Sequence, residues 1–172
     1  MDKFLQNVQS RAFRIAQIGT GNVEDALDLV QEAMFKLVEK YADRPENEWT
    51  PLFYRILNSR ISDWHRRNKV RNRYRSWLGG IDEDGEDPIQ TAPDPHPRTP
   101  ESESQADESM EKLQEALNGL PLRQQQAFLL RAWEGLDVKQ TAAAMSCAEG
   151  SVKTHYSRAI HSLRDQLGEH WP

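Results

Sequence analysis

One stretch limits the fold of this chain more than any other. Residues 79–109 read GGIDEDGEDPIQTAPDPHPRTPESESQADES, with five prolines, three glycines and almost no large apolar side chain. A segment like this cannot bury enough apolar surface to offset the entropy lost on ordering. The expectation is a flexible, acidic linker, so the apolar residues on either side must form separate packed units. The 172 residues are enough for two small domains. The reading is therefore 1–78, 79–109 as linker, and 110–172.

The linker also explains a charge balance that would otherwise mislead. Net charge is −5, which on its face argues against nucleic acid. From Asp82 to Glu111, however, there are eleven acids and one base, Arg98; from Arg55 to Arg75 there are eight bases and one acid, Asp63. Placement decides where a polyanion can bind, and the sum does not. An acidic tether beside a basic helix could also compete with DNA in the free protein.

Periodicity before the linker is helical. Phe4, Val8, Ala12, Ile15 and Ile18 recur every three or four residues, giving a first helix over Asp2 to Ile18. Gly19-Thr20-Gly21-Asn22 stops it and restarts the chain, with Asn22 as N-cap. A second helix from Val23 to Tyr41 is expected to bury Leu27, Val30, Met34, Leu37 or Val38, and Tyr41. Asp28, Gln31, Glu32, Phe35 and Glu39 fall largely on its other side. Phe35 there is either a singly exposed aromatic or a partner contact. Asp43 to Pro51 reads as a loop from its prolines and polar content. A third helix, Leu52 to Arg75, is amphipathic at first and then basic with interleaved aromatics. That second half suits either phosphates and unpaired bases or simply a solvated helix end.

Beyond the linker, a helix opens at Met110 and stops at Asn118-Gly119. The next, PLRQQQAFLLRAW, has Pro121 in its first turn and is expected to bury Ala127, Phe128, Leu130 and Trp133. Asp137 is a good N-cap for VKQTAAAM. SCAEG makes a turn, and SVKTHYSRAIHSLRDQL completes a helix-turn-helix, whose second helix enters the major groove of DNA. The final EHWP is expected to fray. The fold class is all-α: two small helical domains joined by the linker.

Other chemistry is missing from the sequence. The single cysteine, Cys147, rules out an intrachain disulfide and a Cys cluster for zinc, and reads as a small packed residue of the turn. His155 and His161 lack close metal-ligand spacing. There is no Gly-rich phosphate loop and no Ser-His-Asp pattern. The expectation is no enzyme, no cofactor and no metal. No signal-peptide core and no apolar run of membrane-spanning length appear, which points to a cytoplasmic protein without membrane insertion.

Two stretches resemble one family. DLVQEAMFKL (Asp28 to Leu37) with LFYRILNSRISDWHRR (Leu52 to Arg67) resembles the second region of bacterial sigma factors, the initiation subunits of RNA polymerase. LPLRQQQAFLLRAWEGLDVKQTAAAM with EGSVKTHYSRAIHSLR resembles their fourth region. Order and spacing are similar to the extracytoplasmic-function (ECF) group. The resemblance implies that Asp28, Gln31, Glu32 and Phe35 dock on core RNA polymerase, at the beta-prime clamp helices, with the beta subunit also in contact. It implies that the loop from Arg44 to Trp49, then Asn58, Ser59, Asp63, Arg66 and Arg67, reads and opens the promoter −10 element by holding a flipped base. It implies that Lys153, Thr154 and Ser157 face the groove of the −35 element, with Arg131 and Arg158 on phosphates. The linker would thread toward the polymerase active centre, and an anti-sigma factor would be a further partner. Two departures stand out. Leu52-Phe53-Tyr54 replaces a frequent Trp-Leu-Tyr. Ser59 replaces a frequent Asn, with Asn58 one position earlier and so about 100° round the helix. Two other readings are a stand-alone helix-turn-helix regulator and a nucleic-acid enzyme with a DNA-binding tail.

Overall fold

The computed structural model describes residues 1–77 and 112–168, and all regular structure among them is helical. The linker and the terminal EHWP lie outside the described residues. The first domain comprises α1 (Asp2–Thr20), α2 (Val23–Tyr41) and α3 (Glu46–Trp77). The second comprises α4 (112–118), α5 (Leu122–Phe128) with a wider turn at Leu129–Trp133, α6 (Val138–Met145) and α7 (Glu149–Leu167).

The α1–α2 corner is built from local chemistry. Gly21 takes the left-handed conformation (φ 68) and its N–H donates to the Gln17 carbonyl at 2.8 Å. A side chain there would be strained, so glycine suits the helix end. Asn22 follows as N-cap, its Oδ1 accepting from the Asp25 N–H at 2.9 Å. Gly19 is not a cap. It lies inside α1, buried, where a Cβ would stand 3.1 Å from Ile61 Cγ2 of α3. Its missing side chain is what lets α1 and α3 approach.

The buried face of α2 is only partly the one expected. Val30 and Leu37 are buried, but Leu27 and Val38 are each 43% exposed, and Met34 and Tyr41 are only half-buried. The inward positions are Ala26, Leu29, Val30, Ala33 and Leu37. Two alanines hold the seam, so an assignment weighted by side-chain size turns the helix too far. The expected loop over 43–51 is also corrected: α3 begins at Glu46 and carries Pro51 inside it. Pro51 forgoes one backbone donor, and Phe4, Trp49 and Phe53 pack around this end, with Phe4 5.8 Å from Trp49 and 6.2 Å from Phe53.

In the second domain, the turn at Leu129–Trp133 is π-helical, its Glu134 N–H donating to the Leu129 carbonyl at 3.0 Å. An inserted residue of this kind shifts the register of the residues beyond it. Ala127, Leu129 and Leu130 are buried, while Phe128 is half-buried and Trp133 is 36% exposed, contrary to expectation. Asp137 caps α6 as expected, and its backbone N–H donates in return to Gln140 Oε1 at 3.0 Å. Ser146 closes α6 with φ 51.

The two domains pack on each other. α6 lies against α3. Arg11 of α1 pairs with Glu134 at 3.5 Å, and Gln126 Nε2 donates to Ser62 Oγ at 3.5 Å.

Candidate nucleic-acid interface

The helix-turn-helix is held from inside. Val152, Ala159, Leu163 and Leu167 are the buried side of α7. Lys153, Thr154, Ser157 and Arg158 are all exposed. Helical spacing places them together on the opposite side, near the helix entry. The Thr154 hydroxyl donates to the Gly150 carbonyl at 3.0 Å, so its remaining lone pairs and its methyl are what a base edge would meet. His155 sits between these positions. Partial burial, with the Arg123 and Arg158 guanidiniums nearby, lowers its pKa and favours the neutral ring.

Arg131 is engaged within the domain. It donates to the Leu136 carbonyl and lies 5.7 Å from the centroid of the Tyr156 ring, which stacks on Phe128. Arg123 donates to the Met145 carbonyl at 2.8 Å, which satisfies the end of α6. Arg131 therefore braces the turn that enters α6, and Arg123 the turn between α6 and α7.

The residues assigned to the −10 element divide into four places. Ser59, Arg66 and Arg67 are exposed on α3 and Asp63 is half-buried beside them. Arg66 pairs with the Asp63 carboxylate at 3.5 Å and Arg67 Nε reaches its carbonyl at 3.4 Å. Arg44 is exposed and pairs with Glu48 at 3.8 Å. Trp49 is in α3, not in a loop, and is half-buried against Phe4. Asn58 is buried, at 4% exposure, with neither amide atom hydrogen-bonded. In this conformation it is not open to DNA. The one-residue offset from Ser59 thus separates an exposed side chain from a buried one.

On α2, Asp28, Gln31 and Glu32 are exposed, and Phe35 is the most exposed large apolar residue described, at 77%. Arg60 of α3 pairs with Glu32 at 3.3 Å. Val23, Leu27 and Val38 also lie exposed along α2. Leu27 is expected in the core from periodicity, and Val38 only as the alternative to Leu37, which is the one buried; the signal against Leu27 is the pair Ala26 and Ala33. Among the described residues no cluster of metal-ligating side chains occurs, and no helix is long and apolar enough to cross a membrane.

A three-helix unit with an acidic, aromatic-bearing face is thus followed by a helix-turn-helix whose second helix is open along one side. Residues 1–71 match Sigma-70 region 2 and residues 110–163 match Sigma-70, region 4. The chain belongs to the sigma-70 family of RNA polymerase sigma factors, in its ECF group. It is 29% identical over 98% of its length to the ECF RNA polymerase sigma factor SigE of Mycolicibacterium smegmatis, spanning 62% of that protein. It is 25% identical over 96% of its length to the RNA polymerase sigma-E factor of Streptomyces coelicolor, spanning 85% of it. In fold it is similar to the sigma factor RpoE from Bartonella quintana, solved in complex with the anti-sigma factor NepR, with a TM-score of 0.63, 22% identity and coverage of 97% and 98% of the two chains.

Proposed function

We propose that this chain is a promoter-specificity subunit. It binds core RNA polymerase through α2, anchors the −35 element with α7, and opens the −10 element with α3. Polymerase then initiates RNA synthesis. The chain supplies recognition and strand capture, with no covalent chemistry of its own, and it works in the cytoplasm. The observation that carries this reading is the pairing on one chain of two exposed surfaces, the Asp28–Gln31–Glu32–Phe35 face of α2 and the Lys153–Thr154–Ser157–Arg158 face of α7.

Carboxylates on α2 are suited to basic side chains of a partner, and Phe35 supplies an apolar anchor beside them. Leu27 and Val38 extend that face. On α7, Lys153 can donate to guanine O6 and N7, and Thr154 offers its methyl to thymine. Ser59, Asp63, Arg66 and Arg67 are the open part of α3 for the −10 strand, with Arg44 at the preceding turn. Asn58 and Trp49 can join only if their surroundings rearrange. An anti-sigma factor is a further partner, in keeping with the complex in which the Bartonella protein was solved. A stand-alone helix-turn-helix regulator would leave the α2 face without a role.

Run-off transcription tests the reading. Purified chain, core polymerase and a randomised promoter library should yield defined transcripts only when all three are combined. Absence of any association with core polymerase would overturn it.

A further inference from the structure

The recognition helix is gripped by two rings and a cation. Tyr156 of α7 is half-buried against the core of the second domain. Phe128, the last residue of α5, lies nearly parallel to it, at 18° and 6.3 Å between centroids. The Arg131 guanidinium stands over the Tyr156 ring at 5.7 Å and donates to the Leu136 carbonyl. Leu136 directly precedes Asp137, the cap of α6. The end of α5, the start of α6 and the entry half of α7 thus meet at one ring.

Arg131 comes from inside the wide turn Leu129–Trp133. An extra residue in a turn re-aims the side chains that follow by about 100°, and here it delivers the guanidinium to α7. The resemblance to sigma factors sets Arg131 on a DNA phosphate. A phosphate contact needs a cation open to the duplex, whereas Arg131 is half-buried and its planar group already meets a carbonyl and a ring.

Little else fixes the rotation of α7 near its entry. The buried side chains there are Val152 and Ala159, both small, and Leu163 and Leu167 lie further along. Rotation matters because side-chain tips stand ~5–6 Å from a helix axis, so a turn of about 20° moves them about 2 Å. Hydrogen bonds to base edges do not survive that displacement. Lys153, Thr154 and Ser157 all lie within one helical turn of Tyr156.

We propose that Arg131 and Tyr156 are positioning residues for −35 recognition: the guanidinium, tied to Leu136, clamps the Tyr156 ring and sets the rotation at which Lys153, Thr154 and Ser157 meet the bases. Neither side chain touches DNA. The inference deepens the promoter reading of α7 and rests on it. It separates Arg131 from Arg158, which is exposed and open to a phosphate.

The test uses holoenzyme assembled from core polymerase and the full chain. Affinity is measured for a promoter recovered from the randomised library and for the same promoter with a scrambled −35 element. The ratio of the two is the −35 preference. Arg131→Gln and Tyr156→Leu should each reduce it about tenfold, as for one lost base contact, with the salt slope and core affinity unchanged. The double variant should lose no more than either alone, because each breaks the same clamp. Tyr156→Phe, which keeps the ring face, should keep the preference. Should Tyr156→Leu not fold, as read by thermal melting, Arg131→Gln and Tyr156→Phe still decide. Arg131→Gln weakening all sequences alike, with a salt slope lower by about one, would put Arg131 on a phosphate and overturn the inference. So would additive losses in the double variant, an unchanged preference in Arg131→Gln, or an equal loss of core affinity. If the parent holoenzyme binds no promoter, the promoter reading has failed and the −35 role falls with it. Denaturant midpoints of the same chains then show separately whether the two side chains are coupled.

Discussion

Arg60 of α3 reaches Glu32 of α2 at 3.3 Å, with the Glu32 side chain half in solvent and the Arg60 side chain mostly covered. The pair fixes an acid at the centre of the face assigned to core polymerase. It also ties that face to the helix assigned to the −10 element.

Glu32→Lys should weaken core binding by about tenfold or more, equivalent to about 1.4 kcal/mol, by placing like charge against a basic partner. Because Glu32 itself stands half in solvent, the substituted side chain can turn to water and the fold should survive. Binding to core polymerase by fluorescence anisotropy, with thermal melting as control, checks this. Loss of core binding together with loss of the melting transition would mean misfolding and not a docking defect.

Lys153→Ala should lower promoter affinity. If Lys153 meets a phosphate, all sequences weaken alike and the salt slope falls by about one. If it reads a base, preference relaxes at one position of the −35 element, at a cost of ~1–3 kcal/mol. Titration of holoenzyme on promoter variants at several salt concentrations separates the two outcomes. Unchanged affinity would remove Lys153 from the interface.

Asp137→Ala removes the side-chain half of the reciprocal cap with Gln140, in which the Gln140 N–H donates to Asp137 Oδ1 at 2.7 Å. The cost should be about 1 kcal/mol of stability, read as a lower denaturant midpoint. Asp137→Asn, which keeps the acceptor, should recover most of it.

Tyr54 gives a pH dependence with a definite sign. Burial, and then the Glu134 carboxylate beside it, raise its pKa far above the ordinary tyrosine value. The folded chain therefore keeps the phenol proton when the unfolded chain loses it. The stability this provides is fully present below a pH of about 10 and falls above it, by up to ~1.4 kcal/mol per pH unit. Stability measured across that range should fall more steeply for the parent than for Tyr54→Phe. Parallel curves would show that Tyr54 ionises freely in the folded state.

The helices and their caps were largely legible, because their causes are local. Asn22 and Asp137 announce helix starts by residue type, and the structure places both as N-caps. The recognition helix could be read the same way, from a capped short helix, a turn and a longer polar helix. The inward face of α2 could not, because Ala26 and Ala33 look weakly apolar in sequence and become core only where another helix comes close.

Thus the sequence by itself determined the helical class, the division around an acidic segment, and the two regions that place the chain among the sigma factors. Periodicity, caps and composition act over a few residues and need no partner. Only the tertiary structure decided that Glu134 is enclosed against Arg11 and Tyr54, and that Asn58 is buried while Ser59 is exposed. Arg11 and Glu134 lie most of the chain apart, and neither is unusual among its neighbours. Burial of a charge and its pairing depend on how two separately folded units meet, and no local pattern encodes that meeting.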